Sequence, residues 1–151
     1  MLYTKIMADV HTKEIRSFNM SCIRSKNTRP ELAVRKFLHA AGFRYRLHDK
    51  KLPGKPDIVL PKYRTVIFVH GCFWHGHQGC RYFVVPKTRT DWWLDKINGN
   101  IKKDNNAATA LRSLGWHIIE IWECGLKKNM AESEMKRVTQ ELFSKTISFS
   151  E

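Results

Sequence analysis

Four apolar residues, Val66-Ile67-Phe68-Val69, lead almost directly into Cys72-Phe73-Trp74-His75-Gly76-His77-Gln78-Gly79-Cys80. A short apolar run of this kind reads as a buried strand. The stretch after it holds two thiols, two imidazoles and two large aromatics in a glycine-rich loop with little core of its own. A fold for this chain must therefore bring metal ligands, a candidate acid–base and stacking side chains together at the end of one internal strand.

The charge balance suggests what such a strand end would meet. Lys and Arg number 27 against 14 for Asp and Glu, a formal charge of +13 over 151 residues. A field of that sign favours polyanions through release of their condensed counterions, with anionic membrane surface as the rival partner. No apolar run approaches the roughly 20 residues of a membrane span. The first nine residues lack the apolar core of a signal peptide, so the cytoplasm is the expected compartment. Four cysteines in such a compartment favour metal ligation or free thiols over disulfides.

Residues 1–28 read as a basic arm with one short helix, residues 29–130 as the core, and residues 131–151 as a C-terminal helix and tail. Thr28-Arg29-Pro30-Glu31 starts a helix: Thr28 can cap, Pro30 suits the first turn, and Glu31 complements the positive helix end. That helix runs to about Ala41, with Glu31 on the stripe of Val34, Leu38 and Ala41. Phe43 to His48 alternates as a half-buried strand. Asp57 to Leu60 and Thr65 to Val69 form a hairpin across Pro61–Arg64. A long helix is predicted from Asp91 to Leu114, capped by Thr90 or Asp91, with Leu94, Ile97, Ile101, Ala108 and Leu111 facing inward. Asp104 falls in the same series, and an inward acid must be paired or do chemistry. Trp116 to Trp122 is a further strand, and Ala131 to Ser144 a last amphipathic helix. Helices flanking a small mixed sheet give an α/β or α+β domain of three layers or fewer.

Cys72, Cys80 and Cys124, with one imidazole, make a tetrahedral zinc set. Choosing His77 closes the site as a structural one, but spacing alone does not separate His77 from His75. Buried free thiols are the plainer alternative. Cys22, in the arm, stands outside the set. His70 and His75 remain as candidates for proton transfer near neutral pH. Asp57, at the mouth of a strand, is placed as in metal-dependent nucleases, where a carboxylate holds Mg²⁺ against the phosphodiester. The usual restriction-enzyme pattern puts an acid and a lysine on the next strand. Here that stretch is Phe68-Val69-His70, and both are absent.

A histidine variant of that pattern exists, and the chain resembles it. Leu52-Pro53-Gly54-Lys55-Pro56-Asp57-Ile58-Val59, Val66 through His75, Pro86-Lys87-Thr88-Arg89-Thr90 with Trp93, Asn100 with Asp104, and Leu114-Gly115-Trp116 through Cys124 resemble the very short patch repair DNA mismatch endonucleases. These are a branch of the restriction-endonuclease-like superfamily, and the likeness spans about residues 8 to 126. It implies a three-layer α/β/α fold with a mixed sheet flanked by helices and a structural zinc site on Cys72, His77, Cys80 and Cys124. It also implies a catalytic Mg²⁺ on Asp57 and the main-chain carbonyl of Val69. His75 would transfer the proton with Asp104 as partner, while Glu31 and His70 line the site. Phe73, Trp74 and Trp93 would wedge into the duplex, with Met20 of the arm entering from the other groove.

The implied activity is strand-specific nicking of double-stranded DNA on the 5′ side of the mispaired T in a T:G mismatch, leaving a 5′ phosphate. The implied setting is a monomer on the nucleoid, with other mismatch-repair proteins as candidate partners. Two alternatives stand beside it: a zinc-stabilised DNA-binding module without catalysis, and a restriction-like nuclease cutting matched sites. The chain departs from the family in Gly76, Gln78 and Gly79 of a normally His-rich loop, in one extra residue between His77 and Cys80, in Phe18 where lysine is common, and after about Lys127.

Overall fold

Backbone and side-chain patterning together lay down ten regular elements in the computed structural model, which describes residues 5–7, 12–22 and 26–148. They are β1 (Lys5–Met7), α1 (Lys13–Ser21), α2 (Arg29–Ala40), β2 (Arg46–Leu47), β3 (Ile58–Leu60), β4 (Thr65–His70), β5 (Val84–Pro86), α3 (Thr90–Ser113), β6 (His117–Trp122) and α4 (Ala131–Ser148). The short helix expected in the arm is α1, capped by Thr12. Residues 1–4, 8–11 and 23–25 of the predicted arm and the last three residues of the predicted tail lie outside the described residues.

The main sheet has the order β2-β3-β4-β6. β3 and β4 are the expected antiparallel hairpin, whereas β4 and β6 run parallel, from Thr65 beside His117 to His70 beside Trp122. Parallel neighbours require a crossover, and β5 with α3 supplies it. Alternation along the strands sorts their side chains to two faces. Ile58, Leu60, Ile67, Val69, Ile119 and Ile121 pack against Val34 and Leu38 of α2 and Met135, Val138 and Leu142 of α4. Val59, Val66 and Ile118 face Leu111 of α3 on the other side. The sheet is therefore mixed, with helices on both faces. Among the described residues no helix is long and apolar enough to cross a membrane.

Three local expectations change. The strand predicted over Phe43–His48 shrinks to Arg46–Leu47, both exposed. Phe43 is buried for another reason: Gly42 turns the chain at φ +91° and Phe43 N–H closes back on the Leu38 carbonyl at 2.9 Å. A glycine C-cap followed by an apolar contact imitates alternation. Second, neither Thr90 nor Asp91 caps α3. Arg89 holds the capping position in a left-handed conformation, and the Thr90 hydroxyl donates backwards to the carbonyls of Pro86 (2.9 Å) and Lys87 (2.8 Å). Third, a parallel pair β1–β5 joins Lys5–Met7 of the arm to Val84–Pro86.

Candidate active site and metal centre

The parallel register of β4 and β6 makes the site. Both strands leave the sheet at the same edge, so the loop after His70 meets Glu123-Cys124 at the end of β6. The ligand atoms of Cys72, His77, Cys80 and Cys124 all lie within 4.8 Å of one another, with Cys124 Sγ 3.4 Å from His77 Nδ1. Tight turns hold the loop, His77 N–H donating to the Cys72 carbonyl at 2.9 Å. The His77 ring stacks on Trp122, centroids 4.0 Å apart and planes nearly parallel. Burial lowers the His77 pKa, aided by the charge of His70. Burial pushes the Cys72 thiol up to about 12 and raises Cys124 as well. Three sulfurs converging with an imidazole fit a tetrahedral dication, which deprotonates its thiols outright.

His75, two residues from His77, points elsewhere. Its Nδ1 lies 2.6 Å from Asp104 Oδ2. That is the pairing the inward acid on the long helix called for. His70, 5% exposed, sets its ring 4.1 Å from that of His75, with Trp122 on another side. His75, His70 and Asp104 line a cavity of about 300 Å³ that also reaches Asn105, Glu120 and Trp122.

One face of α3 grips this loop through positions three and four apart. Asn100 Nδ2 donates to the Trp74 carbonyl at 2.9 Å. Ile97 and Ile101 close on Gly76, where a Cβ would come within 2.9 Å of Ile97 Cγ2 and 2.8 Å of Ile101 Cδ1, at a backbone φ of +60°. Gly76→Ala therefore meets both steric overlap and a strained backbone. It is expected to cost about 2–5 kcal/mol and to detach the His75–Asp104 pair, read as a lowered Tm and lost activity. A variant as stable as the parent would contradict this packing.

Asp57 sits one residue before β3. Its Oδ2 accepts from Val69 N–H at 2.8 Å, a bond available because the β3–β4 pairing begins only at Ile58–Ile67 and leaves Val69 unpaired on that side. Burial raises its pKa and the Glu31 charge adds to this. Val69 N–H, His48 and His70 pull the other way. Glu31, 2% exposed, accepts from Asn27 N–H (2.9 Å) and Arg35 Nη2 (3.0 Å). Glu31, His48 and Asp57 present ligand atoms within 4.8 Å of one another.

Phe73, Trp74 and Trp93 meet edge to face at centroid distances of 5.2–5.9 Å, with Phe73 and Trp93 partly buried against Phe83, Val85 and Ile97. Met20 lies on α1 and is 43% exposed. Three neighbours of the site escaped sequence reasoning. Arg35 and His48 surround Glu31 and Asp57, and no local pattern marks either. Glu120 Oε1 lies 3.9 Å from His70 Nε2, and that imidazole holds the Glu120 carboxyl below its usual range. Its signal was readable, as a charge interrupting the apolar strand from Trp116 to Trp122.

Comparison with known proteins identifies the family. The family model "DNA mismatch endonuclease Vsr" matches residues 8–81. The type II nicking enzyme V.NmeAIP of Neisseria meningitidis is 49% identical over 90% of this chain and 97% of its own. The type II nicking enzyme V.XorIIP of Xanthomonas oryzae pv. oryzae is 52% identical over 80% of this chain and 88% of its own. The DNA mismatch endonuclease Vsr of Escherichia coli K12 is 46% identical over 80% of this chain and 77% of its own. Relatives this similar over most of both chains place the protein in the Vsr DNA mismatch endonuclease family.

Proposed function

We propose that the protein is a Mg²⁺-dependent, strand-specific endonuclease that nicks duplex DNA on the 5′ side of the mispaired T in a T:G mismatch. The observation that carries this reading is the conjunction of a His75–Asp104 pair with an Asp57 carboxylate at the open end of β3, His70 being close enough to act on Asp57 electrostatically. Asp57 and the Val69 carbonyl would hold the cation. A strand residue presents its N–H and C=O to the same side, so the Val69 carbonyl opens on the edge where its N–H meets Asp57. The all-oxygen donor set suits Mg²⁺. When bound, Mg²⁺ supplies charge neutralisation for the phosphodiester and a more acidic water.

Asp104 keeps a proton on His75 Nδ1, leaving Nε2 to take the proton of the attacking water, and then stabilises the imidazolium. Glu31 and His70 border the reacting centre. The products are a 5′ phosphate and a 3′ hydroxyl. Zinc on Cys72, His77, Cys80 and Cys124 is structural in this reading, a closed set with no ligand position left open.

Selectivity follows from the cost of wedging. Inserting Phe73, Trp74 and Trp93 beside a base pair unstacks a step at a cost of a few kcal/mol. A mispair is already weakened, so less is lost there. Met20 and the basic arm would clasp the opposite groove, and the charge of +13 suits a phosphate-lined partner. The reading places the protein on the nucleoid, in the cytoplasm, as a monomer.

Withholding Mg²⁺ from zinc-loaded protein tests the catalytic part against a pure binding module. Binding to a T:G duplex is expected to persist while nicking stops, and nicking should return when Mg²⁺ is added. Binding with no nicking under any divalent cation would leave the non-catalytic reading standing.

A further inference from the structure

Beside Asp57 lies an imidazole that a cation site for Mg²⁺ has no use for. Arg35 Nη2 donates to Glu31 Oε2 at 3.0 Å and lies 2.8 Å from His48 Nε2, while Nη1 donates to Asn27 Oδ1 at 2.9 Å. A guanidinium has donors only and keeps its proton. His48 Nε2 must therefore turn its lone pair to Arg35. The ring proton is then on Nδ1, which faces Asp57 Oδ1 at 4.0 Å. His48 is also anchored through its backbone. It is left-handed at φ +47°, and its N–H donates to the Asp57 carbonyl at 3.2 Å. Such conformations persist where the surroundings impose them.

Without Arg35, the same three side chains would be a two-carboxylate, one-imidazole set with ligand atoms within 4.8 Å of one another. An imidazole draws Ni²⁺, Zn²⁺ and Cu²⁺, whereas oxygen donors suit Mg²⁺ and Mn²⁺. We infer that Arg35 is a metal-selectivity residue: by occupying His48 Nε2 it bars the imidazole from ligation and reserves the Asp57 site for oxygen-preferring cations. The inference rests on the proposed cation site at Asp57. Arg35 touches neither DNA nor metal in this role, and is a positioning residue for His48.

The test titrates the zinc-loaded full chain calorimetrically with MnCl₂ and with NiCl₂. Removing a positive charge beside Glu31 strengthens both cations alike, so the readout is the ratio of Ni²⁺ to Mn²⁺ affinity. Arg35→Met is expected to raise that ratio at least ten-fold, and Arg35→Met combined with His48→Ala to return it to the parent value. A ratio within two-fold of the parent in Arg35→Met, or a gain that survives the loss of His48, overturns the inference. Should Arg35→Met fail to fold, long-range ¹H–¹⁵N spectra of the unsubstituted protein decide instead. A proton on His48 Nδ1 alone is expected, and a proton on Nε2 overturns the inference. The parent chain also shows whether the underlying reading stands: a Mn²⁺ event absent from Asp57→Ala supports the site, and no Mn²⁺ event in the parent removes the site and the inference together.

Discussion

Asp57→Asn is expected to lower nicking of a T:G duplex by about a thousand-fold or more, as fits loss of several kcal/mol of metal-supplied stabilisation. The substitution is chosen to spare the fold. An amide oxygen can still accept from Val69 N–H, now at 2.8 Å from Asp57 Oδ2. What disappears is a charge that the fold itself does not favour, since burial and the neighbouring Glu31 raise the Asp57 pKa above 3.8. A carboxyl whose folded pKa is raised holds its proton more tightly folded than unfolded. Its stabilising contribution is present below the unfolded pKa and is lost as pH rises through the folded one. At neutral pH the ionised group is a cost, accepted for function. Asp57→Asn should therefore keep or raise the Tm measured without divalent cation, keep zinc content and DNA affinity, and lose only turnover. Turnover within ten-fold of the parent would remove Asp57 from the metal site.

If Cys72, His77, Cys80 and Cys124 hold zinc as proposed, its loss is expected to have the largest effect on stability. The loop from Gly71 to Cys80 contributes little to the main core, and its ligands draw on both the loop and the end of β6. Structural zinc in small sites binds with an apparent free energy of about 10–16 kcal/mol at neutral pH, comparable to the net stability of a whole domain. Burial pushes the Cys72 thiol up to about 12 and raises Cys124, so neither sulfur is a thiolate at neutral pH without a metal to organise it. Cys124→Ala, or stripping the metal with a strong chelator, is expected to lower the Tm by at least about 10 °C. Nicking should fall as well, because His75 is carried on the same loop. A zinc-free chain with parental Tm and activity would show the cysteines to be ordinary buried thiols.

Much of this site was legible in sequence because its parts are local or periodic. Asp104 stood out as an acid on an apolar stripe, and it meets His75. Thr28 was readable as a helix cap and accepts from Glu31 N–H at 3.4 Å. The crowded loop after Val69 could be recognised as a metal loop, yet its spacing left His75 and His77 equivalent. Three dimensions separate them through partners 29 and 47 residues away, Asp104 and Cys124. What stayed hidden depends on such distant meetings. Arg35 and His48 are 13 apart in sequence and meet only because Gly42, just past the α2 C-cap, turns the chain back. The β1–β5 pairing joins residues some 80 positions apart with no alternation to mark either strand. The capping of α3 was misread because a threonine before a helix usually caps it, and Arg89 took that position in a left-handed turn instead.

The central claim is cleavage of one strand at a T:G mispair by the Asp57–His75 centre. Its most direct test is a nicking assay with zinc-loaded protein and Mg²⁺ on end-labelled duplexes carrying T:G, U:G or T:A at the same position, in varied flanking sequence. The expected result is a single cut on the 5′ side of the mispaired T, confined to the T-bearing strand, with a 5′ phosphate and with matched T:A duplex left intact. Equal cutting of all three duplexes would contradict the mismatch claim while keeping the nuclease, and no cutting of any of them would contradict the catalytic claim itself.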